Sequence, residues 1–443
     1  MNSIKSNSQI INWLDDTKSY QLLTGQVQSG KTIEIINYCY WSIYEQRKSV
    51  LVVFQNIKYD IQQFNFRLQN FNKNVKELRP LYAYTIDDFD NSTPKLYVAL
   101  GNYLQIGKCL NIIDIEFNMC LDEADLLVKS GNRKTEIEKV FHPLKRRASH
   151  ILGVTATNLA ILFHEESLSN IKILSTPQDY HGYDKLNKIA IPSNIIIGRN
   201  LAYESFNSKE TGLMLHIEKH RKNDQLMLSD ELHKEYPTIL FIVYNGDGIY
   251  LFPHRLRRTI TGGDYPDEHI FNYRRKITIS ALLQKVKESE IKKISIISGR
   301  MAGRGVSFVS EDFQFHITDQ LYLPSSSIHD ESMAQHLRIL GRYQECQLNL
   351  YTKKSIINKL NKNYETRDTC NDNLQRSNER LYETVGTARN GRRISLVAAI
   401  TQVPLNTITK KFSRPKVCKH IKFKTQGENI YFDGLEDISD EEN

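Results

Sequence analysis

The eight residues Gly25-Gln-Val-Gln-Ser-Gly-Lys-Thr32 constrain this chain more than any other stretch. They fit G-x-x-x-x-G-K-[ST] in full, after the apolar run Tyr20 to Thr24 and before a helical pattern from Ile33 to Arg47. Gly25 and Gly30 let backbone N–H groups, including those of Gln28 and Ser29, close on phosphate oxygens with no Cβ in the way. Lys31 adds a point charge to those phosphates, and Thr32 offers its hydroxyl to Mg²⁺. The helix behind the loop aims its N-terminal partial charge at the same anion.

The rest of the first half reads as a parallel sheet. Ser49 to Gln55 (SVLVVFQ), Lys95 to Leu100 (KLYVAL), Phe117 to Leu121 (FNMCL) and His150 to Val154 (HILGV) are continuous apolar runs separated by helical stretches. Strands of that kind are buried on both faces. A second alternating block predicts strands at Thr238 to Tyr244, Lys293 to Ser298, Phe315 to Tyr322 and Cys346 to Tyr351, with helices near 276–289 and 330–341. With 443 residues the chain has room for two or three domains. The predicted organisation is a first α/β domain over 1–175, a junction over 176–235 and a second α/β domain over 236–360. A helical, basic extension over 361–426 and an acidic, disordered tail over 427–443 follow.

Composition narrows the class further. At 40% hydrophobic and 25% charged residues, usage is that of an ordinary globular chain, and no apolar run reaches membrane-spanning length. The opening residues MNSIKSNSQIINWLDD hold no apolar h-region, so no signal peptide is expected. Six scattered cysteines without a C-x-x-C pair point to structural thiols in a reducing, intracellular compartment. The net charge of +8 conceals an asymmetry: the last seventeen residues carry seven acidic groups and no Lys or Arg, leaving +15 on the body. A basic body suits a polyanionic partner, or simply a solvated surface.

Asp122-Glu123-Ala124-Asp125 follows the strand FNMCL directly. Carboxylates at the C-terminal end of a parallel strand stand where ligands bind in open α/β sheets. Asp122 can hold the metal through water, and Glu123 can orient the attacking water. With these residues the chain resembles the superfamily 2 helicase-type ATPases, whose fold is two tandem RecA-like domains. D-E-A-D matches the DEAD-type motif outright. Thr155-Ala156-Thr157 matches the S/T-A-T motif that in that family links ATP state to the nucleic-acid site. Gly303-Arg304-Gly305-Val306-Ser307 resembles R-G-φ-D, with Ser307 where Asp is usual. Gln335 and Arg342 match the frame Q-x₆-R, and Arg338 lies one place from the usual inner arginine. The resemblance implies ATP and Mg²⁺ as cofactors, Gly305, Arg338 and Arg342 at the nucleotide, and Arg342 as an arginine finger on a helix of the second domain. It also implies that Gln9, sixteen residues before Gly25, reads the adenine edge. The degenerate second-domain motifs resemble those of divergent viral, phage and mobile-element helicases. That would place the protein in cytoplasm, nucleus or virus factory beside accessory replication or transcription proteins.

Basic clusters offer places for single- or double-stranded nucleic acid: Lys145-Arg146-Arg147, then Arg255, Arg257 and Arg258, then Arg274-Arg275-Lys276. Tyr103, Phe252 and Tyr273 could stack on bases. By the resemblance, the Gly101-Asn102 turn, Thr155 and Thr157 also face the strand. Ile394 to Phe412 reads either as a helix-turn-helix with Arg393 and Lys410 on phosphates, or as a structural helical hairpin. Two functional readings follow. One is an ATP-dependent helicase or translocase. The other is a nucleotide-gated, DNA-binding regulator with little unwinding. A packaging motor would need a nuclease domain with clustered acidic ligands, and 236–355 shows none.

Overall fold

The computed structural model describes residues 8–17, 19–55, 58–75, 78–127, 136–156, 168–218, 221–245, 248–252, 278–299, 302, 306–324, 330–343, 346–376, 420–426 and 429–436. The chain divides into two compact units at Ser175/Thr176; the second ends at Tyr364 and also takes in the loop residues Gln26–Ser29.

The first unit is built on seven parallel strands: β1 (Tyr20–Thr24), β2 (Ser49–Phe54), β3 (Ala83–Thr85), β4 (Leu96–Leu100), β5 (Phe117–Asp122), β6 (Ala148–Thr155) and β7 (Leu168–Ile173). Their order across the sheet is β3-β4-β2-β5-β6-β1-β7. The run SVLVVF shows why the sheet is covered on both sides. Leu51 and Val53 pack with Phe117 and Phe141 on one face, while Val50, Val52 and Phe54 pack with Ile35, Ile36 and Trp41 on the other. Alternate side chains point to opposite faces, so a strand apolar at every position needs two cores.

One polar chain runs through this core. The hydroxyl of Tyr38, on helix α1 (Lys31–Tyr40), lies 2.8 Å from His150 Nδ1 on β6, and His150 Nε2 lies 2.8 Å from Gln21 Oε1 on β1. A carboxamide oxygen only accepts, so Nε2 carries the proton and Nδ1 accepts from Tyr38, which is the neutral ring. Burial pushes the His150 imidazole down to about 4. The unfolded chain therefore binds a proton that the fold refuses: stability is full above the ordinary histidine range, near 6.5, and is lost as pH falls from there towards 4. Between pH 7 and pH 5 the loss expected is about 2 kcal/mol. Both tryptophans of the sequence, Trp13 and Trp41, lie in the first unit, so tryptophan fluorescence during unfolding reads this unit selectively. His150→Asn should flatten that pH dependence; an unchanged slope would assign it to other groups.

The second unit carries β9 (Asn187–Ile191), β10 (Gly212–Glu218), β11 (Leu240–Asn245), β12 (Gly248–Phe252), β13 (Lys293–Ser298), β14 (Asp319–Leu323) and β16 (Asn349–Lys353), in the order β12-β11-β13-β10-β14-β16-β9. All pair in parallel except β12, which returns antiparallel to β11. Two further short strands, β8 (Tyr180–His181) and β15 (Gly341–Arg342), pair with each other.

Three expectations change here. Residues 176–235, read from sequence as a junction, hold β8, β9 and β10 and belong to the second unit. Their strands are interrupted by polar residues such as His216 and Glu218, which obscures the apolar run. Inside the fold those two are paired: Glu218 takes both a hydrogen bond from Arg199 at 3.1 Å and a contact with His216 Nε2 at 2.9 Å. The expected helix over 330–341 stops at Gln335, and Arg342 lies on a strand, because Gly341 and Arg342 pair with His181 and Tyr180. Finally, residues 420–426, expected in the helical extension, and 429–436, expected to be disordered, form the antiparallel pair β17 (His420–Gln426) and β18 (Asn429–Glu436). The alternation in HIKFKTQ and NIYFDGLE is strand-like, and acidity alone hid it. Helix Lys354–Arg376 accounts for the start of the helical extension, while residues 377–419, including the candidate Ile394 to Phe412 with Arg393 and Lys410, lie outside the described residues.

Candidate nucleotide site of the first unit

The pairing register brings three strand ends level. Thr24, the last residue of β1, pairs with Thr155, the last of β6. On the other side of β6, Asp122, the last of β5, pairs with Val154. The glycine loop after β1 and the carboxylates after β5 therefore flank the end of one intervening strand, at the edge where parallel sheets bind ligands.

Backbone conformation shapes both arms. Gly30 caps helix α1 at φ 98°, a left-handed conformation open to glycine. Gln28 and Glu123 adopt φ 57° and 51°, where a residue with a Cβ is strained. Such strain is held only when the surroundings over-determine it, and it concentrates at functional sites. At Glu123 it lets the chain leave β5 and enter helix Ala124–Leu127 within one residue.

Side chains complete the arrangement. Lys31 Nζ donates to the Gly25 carbonyl at 3.3 Å, which folds the lysine back over the loop. Ser29 Oγ is buried and finds no hydrogen-bond partner among the described residues. Gln28 is held within the second unit: its Nε2 donates to the Arg338 carbonyl at 3.4 Å, and its Oε1 accepts from the Tyr343 hydroxyl at 3.3 Å. Thr32 accepts a hydrogen bond from Arg67, on helix α2 (Lys58–Asn74). Burial, with the neighbouring charge of Glu123, raises the Asp122 carboxyl well above the usual carboxylate range, against the pull of Lys31 and Arg67. The donors offered to a cation, the Thr32 hydroxyl and the Asp122 carboxylate, are all oxygen, which is the set magnesium takes. The buried Ser29 hydroxyl and the glycine loop suit phosphate oxygens. The residues thus fit a magnesium–nucleotide.

Asp125, the last letter of D-E-A-D, is buried and accepts a hydrogen bond from the Thr155 hydroxyl at 2.8 Å. This ties the carboxylate loop to the end of β6. Thr155, which the resemblance puts toward the nucleic-acid strand, is fully buried with its hydroxyl engaged. Thr157 lies outside the described residues, as does Gly305.

Gln9 is exposed, and its side-chain oxygen accepts from the Ser175 amide at 2.9 Å and the Ser175 hydroxyl at 2.7 Å. Its backbone N–H donates to Glu34 on α1 at 3.1 Å, and the Ser8 hydroxyl donates to the same carboxylate at 2.8 Å. The segment carrying Gln9 is therefore fastened to the helix that follows the glycine loop.

In the second unit the two arginines separate. Arg338 is buried, with Nε donating to the Ala302 carbonyl at 2.9 Å. Arg342 is more than half exposed, and its Nε lies 2.9 and 3.0 Å from the two carboxylate oxygens of Asp179. Of the nucleic-acid candidates, Gly101 and Asn102 sit at the C-terminal end of β4, where Asn102 caps helix α3 (Tyr103–Ile112) by accepting from the Gln105 amide at 3.0 Å. Tyr103 is exposed on the first turn of that helix. The Lys145-Arg146-Arg147 cluster is partly structural: Arg147 donates to the carbonyls of Leu110 and Ile113 at the far end of α3, and Lys145 lies over the Tyr20 ring. Arg257 and Arg258, with Arg255 and Arg274-Arg275-Lys276, lie outside the described residues. Arg67 is the site residue that pattern reading missed. It stands thirty-five positions from Thr32, with no motif around it.

The folds define the class. The two sheets are those of tandem RecA-like domains. Among solved structures the chain is similar to S. cerevisiae Dbp5 bound to RNA and ADP BeF3, at 12% identity over 78% of this chain and 83% of that one, TM-score 0.50. It is similar also to the DEAD-box helicase Mss116 bound to ssRNA and UDP-BeF, at 10% identity over 92% and 81%, TM-score 0.52. A third is Mss116p bound to ssRNA and AMP-PNP, at 13% identity over 91% and 79%, TM-score 0.51. At such identities the likeness is one of fold. No protein-family model matches the chain, and no curated protein matches it.

Proposed function

We propose that the protein is an ATP-dependent nucleic-acid helicase or translocase. The observation that carries this reading is the levelled trio of strand ends. It sets a complete phosphate loop, the Asp122-Glu123 pair and the Thr155–Asp125 hydrogen bond at one edge of a parallel sheet. Gly25 to Gly30 would wrap the phosphates, with Lys31 on their charge. Thr32 and Asp122 would hold magnesium, which when bound neutralises charge building on the transferred phosphoryl group. Glu123 would orient water for attack. Arg342, exposed on β15, is the guanidinium that the motif order assigns to the transition state. Gln9 would lie at the base. The Thr155–Asp125 bond gives the carboxylate loop a path to the end of β6, and so a means for nucleotide state to alter nucleic-acid grip.

The named structures of similar fold hold RNA, and the basic body suits a polyanion. Steady-state ATPase measured alone and with single-stranded RNA, single-stranded DNA and duplex DNA tests the reading. Stimulation by a single strand, with a strong inverse dependence on salt, is the expected result. Hydrolysis indifferent to every nucleic acid would overturn it.

A further inference from the structure

We propose that Arg67 is a built-in cation of the metal site, holding the Thr32 hydroxyl until a divalent ion arrives with nucleotide and displaces it. This rests on the nucleotide-site reading above and adds a residue that its motifs do not contain. Helix α2 carries Arg67 across to the second residue of α1, where its Nη1 donates to the Thr32 hydroxyl. That hydroxyl is the oxygen offered to magnesium. Arg67 is thus a cation bonded directly to a proposed ligand atom.

A guanidinium in this place has a definite consequence. It repels an incoming divalent ion and occupies one of the two lone pairs of the hydroxyl that would face it. Metal entry therefore includes displacement of Arg67, and the metal requirement for nucleotide binding is set higher than the ligands alone would set it. Arg67 acts on the ion through Thr32, and so is a positioning residue.

The test uses the full chain and a fluorescent ADP analogue, titrated with Mg²⁺, with Mn²⁺ binding followed in parallel by electron paramagnetic resonance. Arg67→Gln removes the charge and Arg67→Met keeps the length of the apolar stem, so one folded variant suffices. In either, the metal concentration for half-maximal nucleotide binding should fall about tenfold, the order expected for lifting one like charge beside a divalent ion. Affinity for the analogue in EDTA should not change. Arg67→Lys, which keeps the charge, should retain most of the wild-type metal requirement. An unchanged or raised metal requirement in both neutral variants overturns the proposal. So does a loss of binding in EDTA, since Arg67 would then be a phosphate ligand. Failure of the wild-type chain to bind the analogue with metal present would instead sink the nucleotide-site reading itself.

Discussion

Glu123→Gln should bind nucleotide and fail to turn it over. The substitution keeps the size and the left-handed turn of the residue, φ 51°, while removing the charge that would orient water. A positioned acid–base group contributes typically about 10²–10⁴ in rate, so turnover should fall by at least about a hundredfold. Lys31→Ala should fail for a different reason. It removes a point charge on the phosphates, so nucleotide affinity should fall together with turnover. Equilibrium binding of a fluorescent nucleotide beside steady-state hydrolysis separates the two. Normal turnover in Glu123→Gln would withdraw the water-orienting role from this carboxylate. Wild-type affinity in Lys31→Ala would withdraw the phosphate loop.

Arg342→Ala should lower kcat steeply. An arginine finger is worth about 10³–10⁵ in phosphoryl transfer. The structure makes this variant a clean one. The ion pair of Arg342 with Asp179 is about half exposed on both sides, and exposed pairs add little to stability. Loss of rate without loss of thermal stability is therefore the expected outcome. Arg338→Ala should behave in the opposite way. Its buried guanidinium bonds the Ala302 carbonyl, and truncation leaves that carbonyl and a cavity in the interior. Thermal stability should drop, and rate should follow only as far as folded protein is lost. Should a folded Arg338→Ala lose far more rate than Arg342→Ala, the functional arginine is the inner one.

These two arginines show where pattern reading stops. Four residues apart, they read as one face of a helix, and the region was expected to be helical to 341. The helix ends at Gln335, and Gly341 and Arg342 pair with His181 and Tyr180, some 160 positions earlier in the chain. That pairing turns Arg342 outward and leaves Arg338 inside. Periodicity carries local information, and a bridge between distant segments leaves no trace in it.

The chain's own residue order determined the first sheet and its loop. Runs apolar at every position can be satisfied only by strands covered on both faces, so β1, β2, β4, β5 and β6 were legible within about two residues. The phosphate loop was legible because glycine, lysine and a hydroxyl are required at fixed offsets, and D-E-A-D because it closes a buried strand. Tertiary structure alone decided the rest. It levelled Thr24, Thr155 and Asp122 through strand register, buried Thr155 against Asp125, and drew residues 176–235 into the second unit around paired polar groups. It also brought Arg67 to Thr32 across thirty-five positions. Those outcomes depend on which distant backbone edges meet and which buried charges find partners, and both are set by packing in space rather than by spacing along the chain.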